Sequence, residues 1–419
     1  MTNLIVLTDK YPYGTGEPFI EAERNSWSVF NQVFICPVLA TEKDTVRNGF
    51  KCKDNETLIS TYDNASTVSM LVKGFKGKVS IIDLFREFKN IISEKGNIQN
   101  KLKKLIGIHI NSNLRFKRIC KELSAFMGDR PSGENILIYS YWMYEPVLVG
   151  IALKKYFGNS RLITRAHRYD LYEERHKFSY IPYRNLVFKC TDAIYTISED
   201  GRQYLLSKTK GKISDKIIVR RLGTLKLFNS GSNLIPEKNS VIVVSCSNII
   251  QVKRLELIIN ALKLTSKTIK WVHFGGGELE KEIKEKAGQL PENVQAVFMG
   301  PVPNEQIQEY YATHYIDAFI NVSESEGVPV SIMEAQSYGI PVIATDVGGT
   351  GELVHDGENG VLLSKDFIPQ DLLDAIEIVK KNSSSFRENA QETWRALSDA
   401  ERNYVEMFSY EIEQLEMQK

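Results

Sequence analysis

Short apolar runs alternate with helix-length amphipathic segments along most of the chain, and this alternation constrains the fold more than any other feature. In the first half, the runs predicted as strands are Asn3–Leu7, Val33–Pro37, Ile136–Tyr139, Arg161–Arg165, Ala193–Ile197 and Lys216–Arg220. They resume at Ser240–Cys246, Ile269–Phe274, Asn293–Phe298, Ala318–Val322 and Pro341–Thr345. Strands separated by helices pair in parallel, so the sequence predicts an α/β protein with doubly wound sheets.

The length of the chain indicates more than one domain. Its 419 residues exceed what one hydrophobic core usually holds, and a polar stretch from Phe228 to Asn233 interrupts the alternation. We therefore predict a first Rossmann-like domain over residues 1–228, a linker over 229–239 and a second Rossmann-like domain over 240–390. Residues 391–419 are predicted to form a last, polar helix. Two such domains facing one another leave a cleft, where ligands preferentially bind.

Composition indicates an ordinary globular protein, with 42% hydrophobic and 25% charged residues and a net charge of +1 that excludes no class of partner. The apolar run Leu4–Leu7 is too short for a signal peptide and is predicted to be the first strand. No apolar run approaches the ~18 residues of a membrane span. Five scattered cysteines form no C-x-x-C pair and fit a reducing compartment. We therefore predict a cytoplasmic protein.

Two carboxylates flank the turn after the predicted strand Ala318–Val322. Glu326 lies in the loop Ser323–Pro329, and Glu334 lies about two turns into the following helix on the same side. Ligands of open α/β sheets bind at this edge, and an ionised carboxylate accepts hydrogen bonds from sugar hydroxyls. The alternative is a solvated helix face, since glutamate is rarely buried.

A glycine-rich turn, Asp346 to Gly351, follows the next predicted strand. Because it opens a second helix beside the first, the two turns together predict a phosphate-binding cradle at one edge of the sheet.

At these residues the chain resembles the retaining GT-B glycosyltransferases of family four, also called glycosyl transferases group 1. Glu326 and Glu334, with seven residues between them, reproduce the paired glutamates of that family, and Gly339 to Ala344 continues its pattern. Other matching segments are Ser247–Arg254, Phe274–Glu278 and Phe298–Val302. The resemblance is strong over residues 240–365 and looser in the first half. It implies the GT-B fold, with the last helix crossing back to the first domain.

The resemblance also implies roles for residues of the second domain. Lys253 would neutralise the donor diphosphate, Glu326 would bind the transferred sugar, and Glu334 would bind the ribose. The backbone N–H groups of Gly327 and Val328 would bind the donor phosphates. The base of the donor would contact the turn of Gly300, Pro301 and Val302. Many members of the family carry an arginine where this chain has Asn248, and Arg254 is a candidate for the compensating cation.

Two further candidates lie in the first domain. His167 follows a predicted strand and aligns with a family histidine near the transferred sugar, where we expect it to hold a sugar hydroxyl. Gly14 and Gly16, in the loop after the first strand, would let the backbone approach donor or acceptor closely. A plain turn accounts for these two glycines equally well.

No cofactor or metal is expected. The chain contains no Asp-x-Asp and no cluster of histidines and carboxylates with metal-ligand spacing. Lysine, helix dipoles and backbone N–H groups would then stabilise the charge that a cation stabilises in other glycosyltransferases.

Residues 73–121 form a strongly basic segment, with thirteen Lys or Arg against three Asp or Glu. Apolar residues recur within it at near-helical spacing: Ile81, Ile82, Leu84, Phe85, Phe88, Ile91 and Ile92. The stripe could face the core, or the segment could lie on an anionic membrane surface. Nucleic acid is disfavoured as a partner, because no interleaved aromatics or binding motif accompany the charge.

The sequence thus predicts a retaining, metal-independent glycosyltransferase. It would move a hexose from a nucleoside diphosphate sugar, with UDP favoured over GDP, to a glycan or lipid-linked glycan acceptor in surface polysaccharide synthesis. We expect it in the cytoplasm, at the inner face of the cell membrane. The alternatives are a GT-B-fold sugar-nucleotide epimerase and a catalytically silent sugar-nucleotide-binding subunit of a partner transferase. A dinucleotide oxidoreductase is disfavoured, because Asp9 to Gly16 lacks the G-x-G-x-x-G fingerprint.

Overall fold

The chain folds into two compact units. The first comprises Met1–Arg220 with Tyr404–Lys419, and the second comprises Arg221–Asn403. The structure, a computed structural model, describes residues 2–61, 74–75, 77–93, 97–128, 134–229, 234–237 and 239–417. Of the predicted linker 229–239, residues 230–233 and 238 lie outside the described residues, as do residues 73, 76 and 94–96 of the basic segment.

The first unit is built on a parallel sheet of seven strands. These are β1 (Thr2–Thr8), β2 (Val33–Pro37), β3 (Glu56–Leu58), β4 (Asn135–Ser140), β5 (Ser160–Ala166), β6 (Ala193–Thr196) and β7 (Ile217–Val219). Their order in the sheet is β3-β2-β1-β4-β5-β6-β7. The α-helices described between them are Ile20–Arg24, Ile81–Ser93, Ile98–Met127, Glu145–Lys154, Arg168–Leu171, Arg184–Cys190 and Glu199–Thr209.

The second unit repeats this plan with six parallel strands. These are β8 (Val241–Cys246), β9 (Ile269–Phe274), β10 (Val294–Gly300), β11 (Ala318–Asn321), β12 (Val342–Thr345) and β13 (Gly360–Leu363). Their order is β10-β9-β8-β11-β12-β13. The α-helices are Leu255–Leu262, Glu280–Ala287, Asn304–Thr313, Val330–Ser337, Pro369–Lys381 and Ser383–Leu397.

The central strands are buried along their whole length, as β1, β4 and β5 show. Helices cover both faces of a parallel sheet, so such strands appear in the sequence as continuous apolar runs. The predicted strands are therefore found within two residues of their expected bounds. The strands β3 and β13 were not predicted, because they have only three and four residues and a pattern that short is not distinctive.

Each sheet has one point at which the strand order reverses. In the first unit the chain runs outward from β1 in one direction and from β4 in the other, and in the second unit the same holds for β8 and β11. Helices that follow such a pair of strands leave a crevice at the carboxyl ends, which is where open α/β sheets bind ligands.

The last helix, Ala400–Glu416, joins the first unit from Tyr404 onward, as the sequence predicts, but it does not begin at residue 391, because residues 391–397 belong to the helix Ser383–Leu397 of the second unit. Within that unit the fully buried carboxylate of Glu411 accepts hydrogen bonds from the Arg161 guanidinium and the Tyr195 hydroxyl. A buried charge is costly unless its partner is present, so separation of the helix from the sheet would leave the Arg161 guanidinium without its carboxylate. This contact therefore holds the helix on the sheet. None of the described helices is long and apolar enough to cross a membrane.

Replacement of Glu411 by alanine should destabilise the protein by about 3 kcal/mol or more, because it leaves the Arg161 guanidinium buried without its carboxylate. Urea unfolding of the full chain measures the loss. The matched control is Glu413→Ala on the same helix, where the side chain is exposed and a change within about 0.5 kcal/mol is expected. Equal effects of the two substitutions would contradict a stabilising role for the pair.

Candidate functional site

The loops that follow β8 and β11 meet at the reversal point of the second sheet. Lys253 lies in a 3-10 turn, Gln251–Lys253, just before the helix Leu255–Leu262. Its Nζ lies 2.5 Å from Glu326 Oε1. The backbone N–H of Glu324 donates to the Val252 carbonyl at 2.8 Å, which joins the two loops directly. Two of the predicted site residues are thus in contact where the fold favours a ligand.

Asn321, the last residue of β11, orients Glu326. Its Nδ2 lies 3.3 Å from Glu326 Oε1, and its Oδ1 accepts the Ser323 N–H at 3.1 Å. The amide therefore fixes both the start of the loop and the carboxylate within it. Sequence reasoning missed Asn321, although a polar residue inside the apolar run Ala318–Val322 is a usable signal.

Arg254 braces the same loop. Its backbone has a left-handed conformation, with φ of 49°, and its guanidinium donates to the carbonyls of Val322 at 2.8 Å, Ser323 at 3.4 Å and Lys365 at 2.8 Å. The guanidinium N–H groups that bind these three carbonyls cannot at the same time donate to a phosphate. Asn248, the residue for which Arg254 was expected to compensate, is exposed.

Glu334 is buried in the helix Val330–Ser337, with 9% of its surface exposed. Asn304 Nδ2 donates to its Oε1 at 2.7 Å. Burial raises the pKa of Glu334 to about 7, and the Asn304 hydrogen bond opposes this rise only in part. The alternative of a solvated helix face is therefore wrong for this residue.

Asn304 is the second residue that sequence reasoning missed. It begins the helix Asn304–Thr313, directly after the turn of Gly300, Pro301 and Val302, and Gln308 Nε2 donates to its Oδ1 at 2.8 Å. Asn304 thus links the turn that the resemblance assigns to the donor base with Glu334, which the resemblance assigns to the donor ribose. An amide at the start of the helix after that turn was the available signal.

The Gly348-Gly349 turn packs against the Glu326 loop. Gly348 has φ of +56°, and a Cβ at this position would lie 2.1 Å from the Glu326 carbonyl oxygen. The Gly349 N–H donates to the Gly327 carbonyl at 2.7 Å. This N–H, which the sequence assigned to a phosphate cradle, therefore holds the loop backbone in place.

The other predicted positions of the second unit lie in loops at the same edge of the sheet. Gly300 has φ of +70° at an irregularity in the pairing of β10 with β9, and its carbonyl accepts the Gly275 N–H at 2.9 Å. Val328 is buried and Gly327 is half-buried, just before the helix Val330–Ser337.

His167 belongs to the first unit, directly after β5. Its ring packs on the rings of Tyr141 and Trp142, with centroid distances of 4.8 and 4.5 Å. Neither ring nitrogen has a hydrogen-bond partner among the described residues, although the side chain is buried. Burial, and secondarily the Arg165 charge, hold the pKa of His167 well below its usual range. The imidazole is therefore neutral and retains one donor and one acceptor.

Gly14 and Gly16 lie in the loop after β1, and both are exposed. Gly14 has φ of +65°. The loop is shaped by Glu17, whose carboxylate accepts the backbone N–H groups of three residues and the Trp142 indole N–H at 2.7 Å. The three residues are Asp9, Lys10 and Tyr11.

Within the part of the chain that the structure describes, no group of three or more His, Cys, Asp or Glu side chains is placed to hold a metal ion. Independence from a metal stays a prediction.

Comparison with known proteins identifies the second unit. Residues 228–396 match the family described as Glycosyl transferases group 1. The O-antigen biosynthesis glycosyltransferase WbnH of Escherichia coli is 37% identical over 112 residues, which are 26% of this chain and 30% of that protein. Sulfoquinovosyl transferase SQD2 of Arabidopsis thaliana is 29% identical over 189 residues, which are 41% of this chain and 34% of that protein. The matches thus span about a third of the length of these relatives.

Solved structures resemble the whole chain. The lipopolysaccharide outer core galactosyltransferase WaaB gives a TM-score of 0.67 at 13% identity, covering 99% of both chains. Anabaena Alr3699/HepE in complex with UDP gives a TM-score of 0.65 at 14% identity, covering 99% of this chain and 100% of that chain. At such identities the likeness shows the fold alone. The predicted GT-B fold is confirmed.

Substitution of Gly348 by alanine should distort the Glu326 loop, because the new Cβ would overlap the Glu326 carbonyl oxygen. We expect a loss of stability larger by about 1–3 kcal/mol than that of Gly357→Ala. Gly357 has a similar φ of +75° but no heavy atom within 4 Å of a Cβ, so it isolates the strain of the left-handed backbone. Thermal unfolding compares the two variants, and equal shifts in Tm would contradict the packing described for Gly348.

Proposed function

We propose that this chain, whose residues 228–396 belong to the glycosyl transferases group 1 family, is a retaining, metal-independent glycosyltransferase. It transfers a hexose from a nucleoside diphosphate sugar, with uridine as the base, to a glycan or lipid-linked glycan acceptor. The contact of Lys253 with Glu326 at the β8/β11 reversal point carries the proposal. The name of the WbnH relative and the UDP bound to the HepE neighbour support the acceptor and donor classes.

Lys253 stabilises the leaving diphosphate. Its side chain is 22% exposed, and its Nζ lies against the Glu326 carboxylate, which fixes its position in the crevice. Negative charge grows on the diphosphate as its bond to the sugar breaks, so a fixed ammonium stabilises the transition state more than the bound donor. Since Arg254 is occupied by three carbonyls and Asn248 carries no charge, Lys253 is the member of this group that supplies the cation.

The two glutamates bind the two sugars of the donor. Lys253 and Asn321 both contact Oε1 of Glu326, and Oε2 accepts hydroxyls of the transferred hexose. Asn304 contacts Oε1 of Glu334, and Oε2 accepts a ribose hydroxyl. An ionised carboxylate serves only as an acceptor, which suits it to hydroxyl donors.

In the transfer itself, the bond between the anomeric carbon and the diphosphate oxygen breaks, and the acceptor oxygen bonds to the same face of that carbon. The acceptor proton passes to the departing phosphate oxygen, so no protein base is needed. The neutral ring of His167, with one donor and one acceptor, suits a sugar hydroxyl better than proton abstraction. We propose that transfer takes place in the cytoplasm at the inner face of the cell membrane.

The donor is identified by thermal stabilisation with a panel of UDP-, GDP- and ADP-sugars, since a ligand at 100 times its Kd stabilises by about 2.7 kcal/mol. With the best donor, Glu326→Ala and Lys253→Met should each lower kcat by about 100-fold or more. The control is Glu324→Ala in the same loop, whose exposed carboxylate contacts Lys365 at 3.2 Å. This control should retain wild-type kcat.

Incubation of the protein with its best donor, without an acceptor, separates the proposed transferase from its alternatives. A transferase releases sugar slowly from the donor in the absence of an acceptor, and an epimerase instead produces an isomerised donor. A silent subunit binds the donor and changes nothing. Wild-type turnover by the Glu326→Ala protein would show that the catalytic role assigned to this carboxylate is wrong.

Binding of the donor should strengthen as the pH rises through about 7. The ribose hydroxyl donates to ionised Glu334, so the bound donor lowers a pKa that burial holds at about 7 in the free protein. Protons must then leave on binding, and affinity for a UDP-sugar should fall about tenfold between pH 8 and pH 6. Calorimetry at a series of pH values measures this slope. Glu334→Gln should bind more weakly at pH 8 but without the slope, and an unchanged slope would assign the proton to another group.

A further inference from the structure

The second unit begins with a segment, residues 221–228, that belongs to no helix or strand. We call it the entry segment, because the chain passes into the second unit through it. A backbone N–H outside helices and strands needs some other acceptor. The Leu227 N–H donates to Gln308 Oε1 at 3.1 Å. The Phe228 N–H donates to the Tyr338 hydroxyl at 3.2 Å. Two side chains thus hold the end of the entry segment.

These two side chains are buried and contact one another. Gln308 is 3% exposed on the helix Asn304–Thr313, and Tyr338 is 6% exposed directly after the helix Val330–Ser337. The Tyr338 hydroxyl donates to Gln308 Oε1 at 2.9 Å. A hydroxyl accepts one hydrogen bond while it donates another, so both contacts of the entry segment lead to the same amide oxygen.

Hydrogen bonds continue from Gln308 to Glu334. Gln308 Nε2 donates to Asn304 Oδ1 at 2.8 Å, and Asn304 Nδ2 donates to Glu334 Oε1 at 2.7 Å. We call Gln308 and Asn304, with the Leu227 N–H and Glu334 at the two ends, the amide relay. It joins the entry segment to the carboxylate proposed to bind the donor ribose.

The entry segment determines the direction of the amide relay. A backbone N–H can only donate, so Gln308 turns Oε1 toward Leu227 and Nε2 toward Asn304. An amide nitrogen also only donates, so Asn304 turns Oδ1 toward Gln308 and Nδ2 toward Glu334. The relay therefore ends in an N–H that faces the carboxylate. Such a donor favours the ionised form of Glu334, which is the form that accepts a ribose hydroxyl.

We propose that Gln308 couples donor binding to the entry segment. The anchored segment holds both amides in the orientation that gives Glu334 an N–H, and a donor bound at Glu334 orders the segment in return. Coupling between two sites is reciprocal, so each strengthens the other by the same factor. Gln308 is thus a positioning residue that acts through Asn304. The inference rests on the proposed function, because it takes Glu334 as the residue that binds the ribose.

A separate anchor holds the entry segment at Thr224. The Thr224 N–H donates to the Ser398 carbonyl at 2.8 Å, and the Trp394 indole N–H donates to the Thr224 hydroxyl at 2.9 Å. Neither contact involves the amide relay. Loss of the relay should therefore release the end of the segment, at Leu227 and Phe228, and leave Thr224 in place.

Hydrogen exchange of the full chain, followed by mass spectrometry at single-residue resolution, measures the coupling. The added donor is whichever of the UDP-, GDP- and ADP-sugars stabilises the wild type most. At saturation it should slow exchange of the Leu227 amide at least fivefold and leave the Thr224 amide unchanged. In the Gln308→Met protein, which keeps the side-chain length but loses the amide, the same donor should not slow exchange of Leu227.

Calorimetric titration with the same donor tests the coupling from the opposite end. Gln308→Met should weaken donor binding at least fivefold in the wild type. In an Asn304→Ala background the same substitution should weaken binding by less than about twofold, because Gln308 acts through Asn304.

Tyr338→Phe tests the relay with a smaller change, in case Gln308→Met does not fold. It removes one hydroxyl, so exchange of the Phe228 amide should accelerate and donor binding should weaken by about threefold. The matched control is Tyr310→Phe, on the same helix as Gln308. The Tyr310 hydroxyl has no hydrogen-bond partner among the described residues, so this variant should bind the donor as the wild type does.

Two results would overturn the proposal and leave the proposed function intact. One is a donor that stabilises the wild type without slowing exchange of Leu227. The other is additive weakening of donor binding by Gln308→Met and Asn304→Ala. Absence of stabilisation by every sugar nucleotide of the panel would instead contradict the proposed transferase, and this coupling with it.

Discussion

The reversal of strand order between β8 and β11 is the constraint on which the second unit depends. The chain leaves these neighbouring strands in opposite directions, so their crossover helices cover opposite faces of the sheet and leave the two strand ends uncovered between them. Lys253 follows one strand and Glu326 follows the other, and 73 positions of sequence separate two groups that lie in contact. The charge pair is thus a product of topology, and the backbone bond from Glu324 to Val252 and the carbonyls bound by Arg254 hold it there.

Apolar patterning was sufficient to predict the fold, because a parallel sheet buried on both faces requires continuous apolar strands. It failed at β3 and β13, where three or four residues give too short a pattern to recognise. In the candidate site of the second unit, the charged residues Lys253, Glu326 and Glu334 could be proposed from the sequence, but the amide side chains that contact the two glutamates could not. Asn321 and Asn304 act through two side-chain hydrogen bonds each, and such bonds depend on side-chain directions that spacing does not determine. The contacts of Arg254 were unpredictable for the same reason, since spacing does not show that its guanidinium donates to three backbone carbonyls.

The basic segment shows a different limit of patterning. A helix that lies on a membrane and a helix that covers a core have the same apolar period, so the period of Ile81 to Ile92 could not distinguish them. The two acids orient the helix, because Glu87 and Asp83 find hydrogen-bond donors on the first unit that no apolar residue could satisfy. Polar residues on the buried side thus orient apolar ones such as Ile82 and Phe85 outward, and the roles of the two residue classes are the reverse of those in an ordinary helix.

The hydrogen bond between Asn304 and Glu334 has a consequence for any redesign of the proposed nucleotide site. The three residues before the helix, Pro301 to Pro303, lie in the turn proposed for the base, and Asn304 after them donates to a carboxylate 30 positions away, where it partly offsets the rise in pKa that burial causes. Libraries that randomise this turn together with Asn304 would therefore alter proton release on donor binding together with base choice. Selection for a new base at one pH would return mostly variants that have kept this amide.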